Sequence, residues 1–156
     1  MAAMLALPAI SPFVEAQTAS PAPLAIIVHE TSPVSSLTLS ELRKILLGET
    51  AEWSDGHRIV LVERDQTSRI LRETLKVICK MTPAEYKRHM LAIEFQGGQA
   101  PMEKILNSDD AAAKFVRSVP GAIGVVENSS LASGGLRVKV LRVAGKLPGE
   151  AGYPLQ

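Results

Sequence analysis

The run Ile59-Val60-Leu61-Val62 constrains the fold more than any other feature of the chain. It is a continuous apolar segment bounded by Arg58 on one side and by Glu63 and Arg64 on the other. A strand without polar alternation has to be covered on both faces. The chain then enters a polar turn, Asp65-Gln66-Thr67-Ser68, and restarts at Arg69 in a helical pattern that puts Ile70, Leu71, Leu75 and Ile78 on one side. In an open α/β sheet, ligands bind beyond the carboxyl ends of the strands, and a helix start there offers free N–H groups to an anion. Anion binding at the turn Asp65, Gln66, Thr67 and Ser68 is therefore the first functional expectation from the segment. The plainer alternative is a helix capped by Thr67 or Ser68 with its charges solvated.

The same alternation of strand and helix runs through the chain. Leu24 to Val28 is a second unbroken apolar run, Ala122 to Val126 a third, and Leu136 to Val143 reads as a closing strand, with a short extended piece at Lys104 to Leu106. Between them, Thr38 and Glu41 have capping-box spacing ahead of Leu39, Leu42, Ile45 and Leu46, and Gly48 closes that helix. Thr82 and Glu85 repeat the box with Pro83 at the first helical position, and this helix ends before Gly97 and Gly98. Ser108, Asp109 and Asp110 open a further helix that Pro120 and Gly121 stop. The pattern predicts an α/β domain with a mainly parallel sheet flanked by helices. Arg137, Lys139 and Arg142 would blunt an exposed edge on the last strand.

With 156 residues, 46% hydrophobic and 21% charged, and a formal charge of +1, the chain has the size and balance of one globular domain and shows no basic stripe for nucleic acid. Cys79 is the single cysteine, which removes intramolecular disulfides and zinc sites built on several cysteines, and its apolar surroundings point to the core. Asp109 and Asp110 in a first helical turn fit the helix dipole better than a metal pair. His29, His57 and His89 are scattered, Trp53 suits packing of its loop, and no nucleophile or carboxylate pair stands out, so an enzyme is not expected and no cofactor or metal is implied. Residues 1–23 differ from the rest: a short apolar run with Val14 and Ala16 spaced as a signal peptidase reads them, then a linker, which predicts a secretory signal cleaved after Ala16 and a domain over 24–156. No Lys or Arg precedes the run.

Four segments occur in a recognisable order: SLTLSELRKILLGETAEWSDG, IVLVERDQTSRILRETL, VPGAIGVVE and VKVLRVAGKLPGEAGYPL. In these the chain resembles the phosphate-type substrate-binding proteins of ABC transporters, in the type 2 periplasmic binding protein superfamily. The resemblance implies one lobe of such a protein, periplasmic or otherwise secreted. It also implies a small oxyanion as ligand, phosphate first, at the positions that match the family's binding turn, Asp65, Gln66, Thr67, Ser68 and Arg69, with Thr67, Ser68 and Arg69 as donors and Asp65 accepting a hydrogen bond from a protonated phosphate. A membrane transporter or a second copy completing the cleft is the implied partner. Family members carry two lobes, and their binding turn reads Gly-Ser-Gly-Thr-Arg or similar, whereas this turn has no glycine. A module that keeps the fold and has lost the ligand, serving in protein interaction, is the alternative.

Overall fold

Leu24–Val28 forms β1, and its apolar residues divide between two cores. Leu24, Ile26 and Val28 enter one apolar cluster, Ala25 and Ile27 the other. The period of two explains why the run needs no polar residue, since both faces are covered. The computed structural model describes residues 21–97, 101–132 and 137–156. The signal-like segment up to residue 20, Gly98 and Leu136 lie outside them.

After β1 come β2 (Ser36–Leu37), α1 (Leu39–Leu46), β3 (Val60–Glu63), α2 (Arg69–Thr74), which runs on as a π-helical turn over Leu75–Cys79, and α3 (Pro83–Phe95). They are followed by β4 (Met102–Ile105), α4 (Asp109–Ser118), β5 (Ala122–Glu127), α5 (Asn128–Ala132), β6 (Lys139–Val140) and β7 (Arg142–Val143). Five strands form one sheet in the order β4-β3-β5-β1-β6, and β2 pairs with β7 separately. β3 is parallel to β4 and β5, while β1 runs antiparallel to β5 and β6. Four of the five strands thus point the same way, with β1 reversed between β5 and β6. Leu61 faces the layer of α1, α2 and α3, and Val62 faces α4.

Both capping boxes form. Thr38 and Glu41 bond reciprocally at the start of α1, and Thr82 and Glu85 at the start of α3, with Pro83 in the first turn. The sheet is closed tightly at Gly121, whose φ of +92° and contact with the Arg58 backbone leave no room for a Cβ. The Trp53 indole is buried against this point and donates from Nε1 to the Gly121 carbonyl at 2.9 Å. The loop around Trp53 is thereby packed onto the entry to β5, in keeping with a structural role.

The expected single strand over Leu136 to Val143 is two short ones. β6 pairs with β1 for two residues, Leu141 turns into the core, and β7 pairs with β2 in another sheet. Lys139 sits on the sheet edge, where its ammonium donates to the carbonyls of Ser32 and Val34. At the end of the chain Tyr153 and Leu155 are buried, and the Leu155 carbonyl accepts from the Leu24 N–H at 2.8 Å.

Candidate functional site

Three parallel strand ends meet three helix starts on one edge of the sheet. β3 leads through Arg64 to Ser68 into α2, β4 leads through Asn107 and Ser108 into α4, and β5 passes directly into α5. The space between them is an open cleft of about 650 Å³ whose wall includes Arg64, Asp65, Thr67, Ser68, Asp109 and Glu127. Its position is the one that open α/β sheets reserve for ligands.

The turn after β3 is held by its own side chains. Asp65 Oδ1 accepts from the Thr67 N–H at 2.9 Å and from the Thr67 hydroxyl at 2.6 Å, and the Ser68 N–H donates to the Asp65 carbonyl at 2.9 Å. These bonds hold the Asp65 carboxyl below its ordinary range. Ser68 is the N-cap of α2, its Oγ accepting from the Ile70 N–H at 3.2 Å. Arg69 pairs with Glu127 at 2.7 Å, and Arg72 donates to the Thr67 carbonyl at 2.6 Å. Asp65, Thr67 and Ser68 therefore line the cleft together. Gln66 is exposed and borders a different groove, between α3 and β4.

Arg64 and Asp109 form the inner wall. Arg64 is 5% exposed; its Nη2 is ion-paired with Asp109 Oδ1 and its Nη1 donates to the Leu106 carbonyl at 3.2 Å. Its Nε has no hydrogen-bond partner among the described residues. The second carboxylate oxygen of Asp109 accepts from the Glu127 N–H at 3.1 Å and the Ser130 hydroxyl at 2.6 Å. Asp109 thus ties the ends of β3 and β5 to the start of α4, beyond the helix-dipole role its place suggested. Asp110 pairs with Lys114 at 2.7 Å. Residues 60, 62 and 64 share a face, so a count of two along β3 would have pointed Arg64 into the α4 layer.

On the opposite face of the same strand end, Glu63 meets Tyr86. The tyrosine hydroxyl lies 2.6 Å from Glu63 Oε1 and 2.9 Å from the Leu46 carbonyl oxygen. Burial raises the Glu63 carboxyl to about 7, with the Tyr86 bond opposing the rise and Glu103 adding to it. Burial pushes the Cys79 thiol up to about 11, as suits a packed cysteine. His29 and His57 bond locally, to Thr31 and Asp55, His89 lies within hydrogen-bond distance of the Leu47 carbonyl, and none of them lines the cleft.

Chemically the cleft offers hydroxyls, a helix start and one guanidinium in its wall, that of Arg64, already opposed by Asp109; Arg69 is not among the lining residues and meets the wall through its ion pair with Glu127. An entering oxyanion would exchange internal partners for its own oxygens.

No family model matches the chain, and neither does any curated protein. Solved structures do. An ABC-type phosphate transport receptor from Vibrio cholerae matches with a TM-score of 0.63 at 20% identity, over 81% of this chain and 48% of the receptor. PstS from Borrelia burgdorferi matches at 0.66 and 17% identity, over 86% and 54%. A phosphate-binding protein from Stenotrophomonas maltophilia matches at 0.60 and 16% identity, over 81% and 40%. The chain has the fold of about half of a phosphate-type substrate-binding protein. It spans roughly half the length of these proteins. The Vibrio cholerae neighbour is a transport receptor and the Stenotrophomonas maltophilia neighbour a binding protein, not an enzyme.

Proposed function

We propose that the chain is a non-enzymatic binding module for a small oxyanion, phosphate first, acting outside the cytoplasm. The observation that carries this reading is the position of the cleft, beyond three parallel strand ends and at the start of α2, in a fold shared with phosphate-binding proteins. In this reading Thr67 and Ser68 supply hydroxyls, Arg64 and Arg69 supply charge-assisted donors, and Asp65 accepts from a protonated oxygen of the ligand. Gln66 stays outside the contact set. The extracytoplasmic setting rests on the signal-like Met1 to Ala16. A membrane transporter, or a second copy closing over the cleft, is the partner that fits the reading.

Affinity should be modest. Asp109 and Glu127 already neutralise the two guanidinium groups, and the turn has no glycine to let its backbone close on an oxyanion. Isothermal titration with phosphate and with sulfate tests the reading. The wild type should take up phosphate, and Thr67→Ala/Ser68→Ala should weaken binding by about tenfold or more, the loss of one to two charge-assisted hydrogen bonds. No heat change in the wild type up to millimolar phosphate would end it. The second reading, a lobe-like interaction module without a ligand, is favoured by the internal satisfaction of Thr67, Ser68 and Arg69. The same titration separates the two.

A further inference from the structure

The sheet has a second opening, at its β4 edge. Among the described residues β4 stands last in the strand order and pairs with β3 alone, and all four of its residues are exposed. One row of its N–H and C=O groups therefore faces solvent. Glu103 and Ile105, two apart and so on one face, line a groove of about 370 Å³ with Leu91 and Glu94 of α3, floored by Tyr86 and Met90. Ile105 is 60% exposed and Leu91 41%, and on the other face of the strand Met102 is 52% exposed. Large apolar side chains beside an unpaired edge are what proteins ordinarily avoid.

The groove is also short of positive charge. Glu63, Glu94 and Glu103 line it, while its cations are Lys87 and Arg64, and Arg64 is committed to Asp109. Burial and the neighbouring Glu94 raise the Glu103 carboxyl, and Glu103 in turn raises Glu63. A cation entering here would relieve that repulsion.

A second copy of this chain suits the edge poorly. An antiparallel two-fold pairing of β4 with itself keeps each side chain on its own face only when the paired residue numbers sum to an even value. The central registers of that kind set Glu103 opposite Glu103 or Lys104 opposite Lys104, and like charges directly opposite are destabilising. Residues 1–20 carry Glu15 and no Lys or Arg, so they do not supply the missing charge either.

We propose that the β4 edge and its groove bind an extended segment of another protein. The segment adds as a strand and presents an apolar side chain to Ile105 and Leu91 and a Lys or Arg, two residues away, to Glu103 and Glu94. Main-chain pairing supplies the attachment and the alternate side chains supply the selectivity. The surface is separate from the oxyanion cleft, and its test does not depend on that reading.

The probe is a fluorescein-labelled peptide, Val-Thr-Lys-Thr-Val-Thr-Lys, compared with the same peptide carrying Glu in place of Lys. Fluorescence anisotropy should show saturable binding of the Lys peptide at least about tenfold tighter than the Glu peptide. Amide NMR shifts should concentrate at residues 102–105. Ile105→Asp and Glu103→Lys should each weaken the Lys peptide by about tenfold, with Glu94→Lys as a check placed off the strand. All three side chains are exposed, so melting curves should be unchanged. Equal binding of the two peptides, absence of saturation, or shifts centred away from β4 would overturn the proposal. So would concentration-dependent self-association with shifts at 102–105, which would give the edge to a second copy.

Discussion

Glu63 shows how one side chain at a strand end can set the pH response of the whole fold. Tyr86 has a single hydroxyl proton and two acceptors within reach, Glu63 Oε1 and the Leu46 carbonyl. When Glu63 is protonated, it donates to Tyr86, Tyr86 donates to Leu46, and every group is satisfied. When Glu63 is ionised, Tyr86 turns to it and the Leu46 carbonyl loses its bond. The folded carboxyl titrates at about 7 against 4.5 for the ordinary group. Between those values the folded chain binds more protons than the unfolded one, so this stabilisation is complete below the lower value and is lost as pH rises through the upper. Urea denaturation of wild type and Glu63→Gln from pH 5 to 8 should show the wild type falling by roughly 2 kcal/mol relative to the variant. The lowered carboxyls of Glu41, Asp65 and Glu85 act in the opposite sense in acid and are common to both proteins. At this scale the sequence was legible where partners are near in the chain. Asp65 with Thr67 and Ser68 with Ile70 are two residues apart, and that spacing marks the turn they make as a helix cap. Arg64 with Asp109 spans 45 residues and Arg69 with Glu127 spans 58, and local spacing carries no trace of either.

Secondary-structure elements with their own chemical punctuation were readable, and those made by their neighbours were not. α1 begins at Thr38 because the threonine hydroxyl accepts from the Glu41 N–H while the Glu41 carboxylate accepts from the Thr38 N–H, at 3.2 and 2.8 Å. Thr38→Ala should cost about 1 kcal/mol by chemical denaturation, with little change in the cleft, because the cap lies outside it. β2 is the contrary case. Its two residues, Ser36 and Leu37, are extended only because β7 passes alongside, and no periodicity can announce a strand that short. The division of the last strand has the same origin. Leu141 is fully buried, and the chain bends there to pair with β1 before it and β2 after it, so a run that alternates as one strand serves two sheets. The fold class was readable because β1, β3 and β5 are long enough to carry unbroken apolar runs, whereas the partnership of β3 with β5 around the cleft is a matter of topology.

For the molecule as a whole, two apolar clusters on opposite faces of one sheet divide the work of stability. The larger joins α1, α2 and α3 to the final residues, where Tyr153 is 3% exposed and Leu155 1%. Tyr153→Ala should therefore cost about 3 kcal/mol, seen as a lower midpoint in thermal or urea unfolding. It should leave any phosphate titration unchanged at temperatures where the variant is folded, since Tyr153 is not among the cleft residues. The hydrogen bond from Leu24 to Leu155 has a geometric consequence beyond stability. It makes the first strand and the last buried residue of the folded unit immediate neighbours, so a polypeptide can enter and leave the unit at a single point on its surface. A module of that outline can be spliced into a loop of a host protein, or permuted by joining those two points and cutting elsewhere, without pulling its sheet apart.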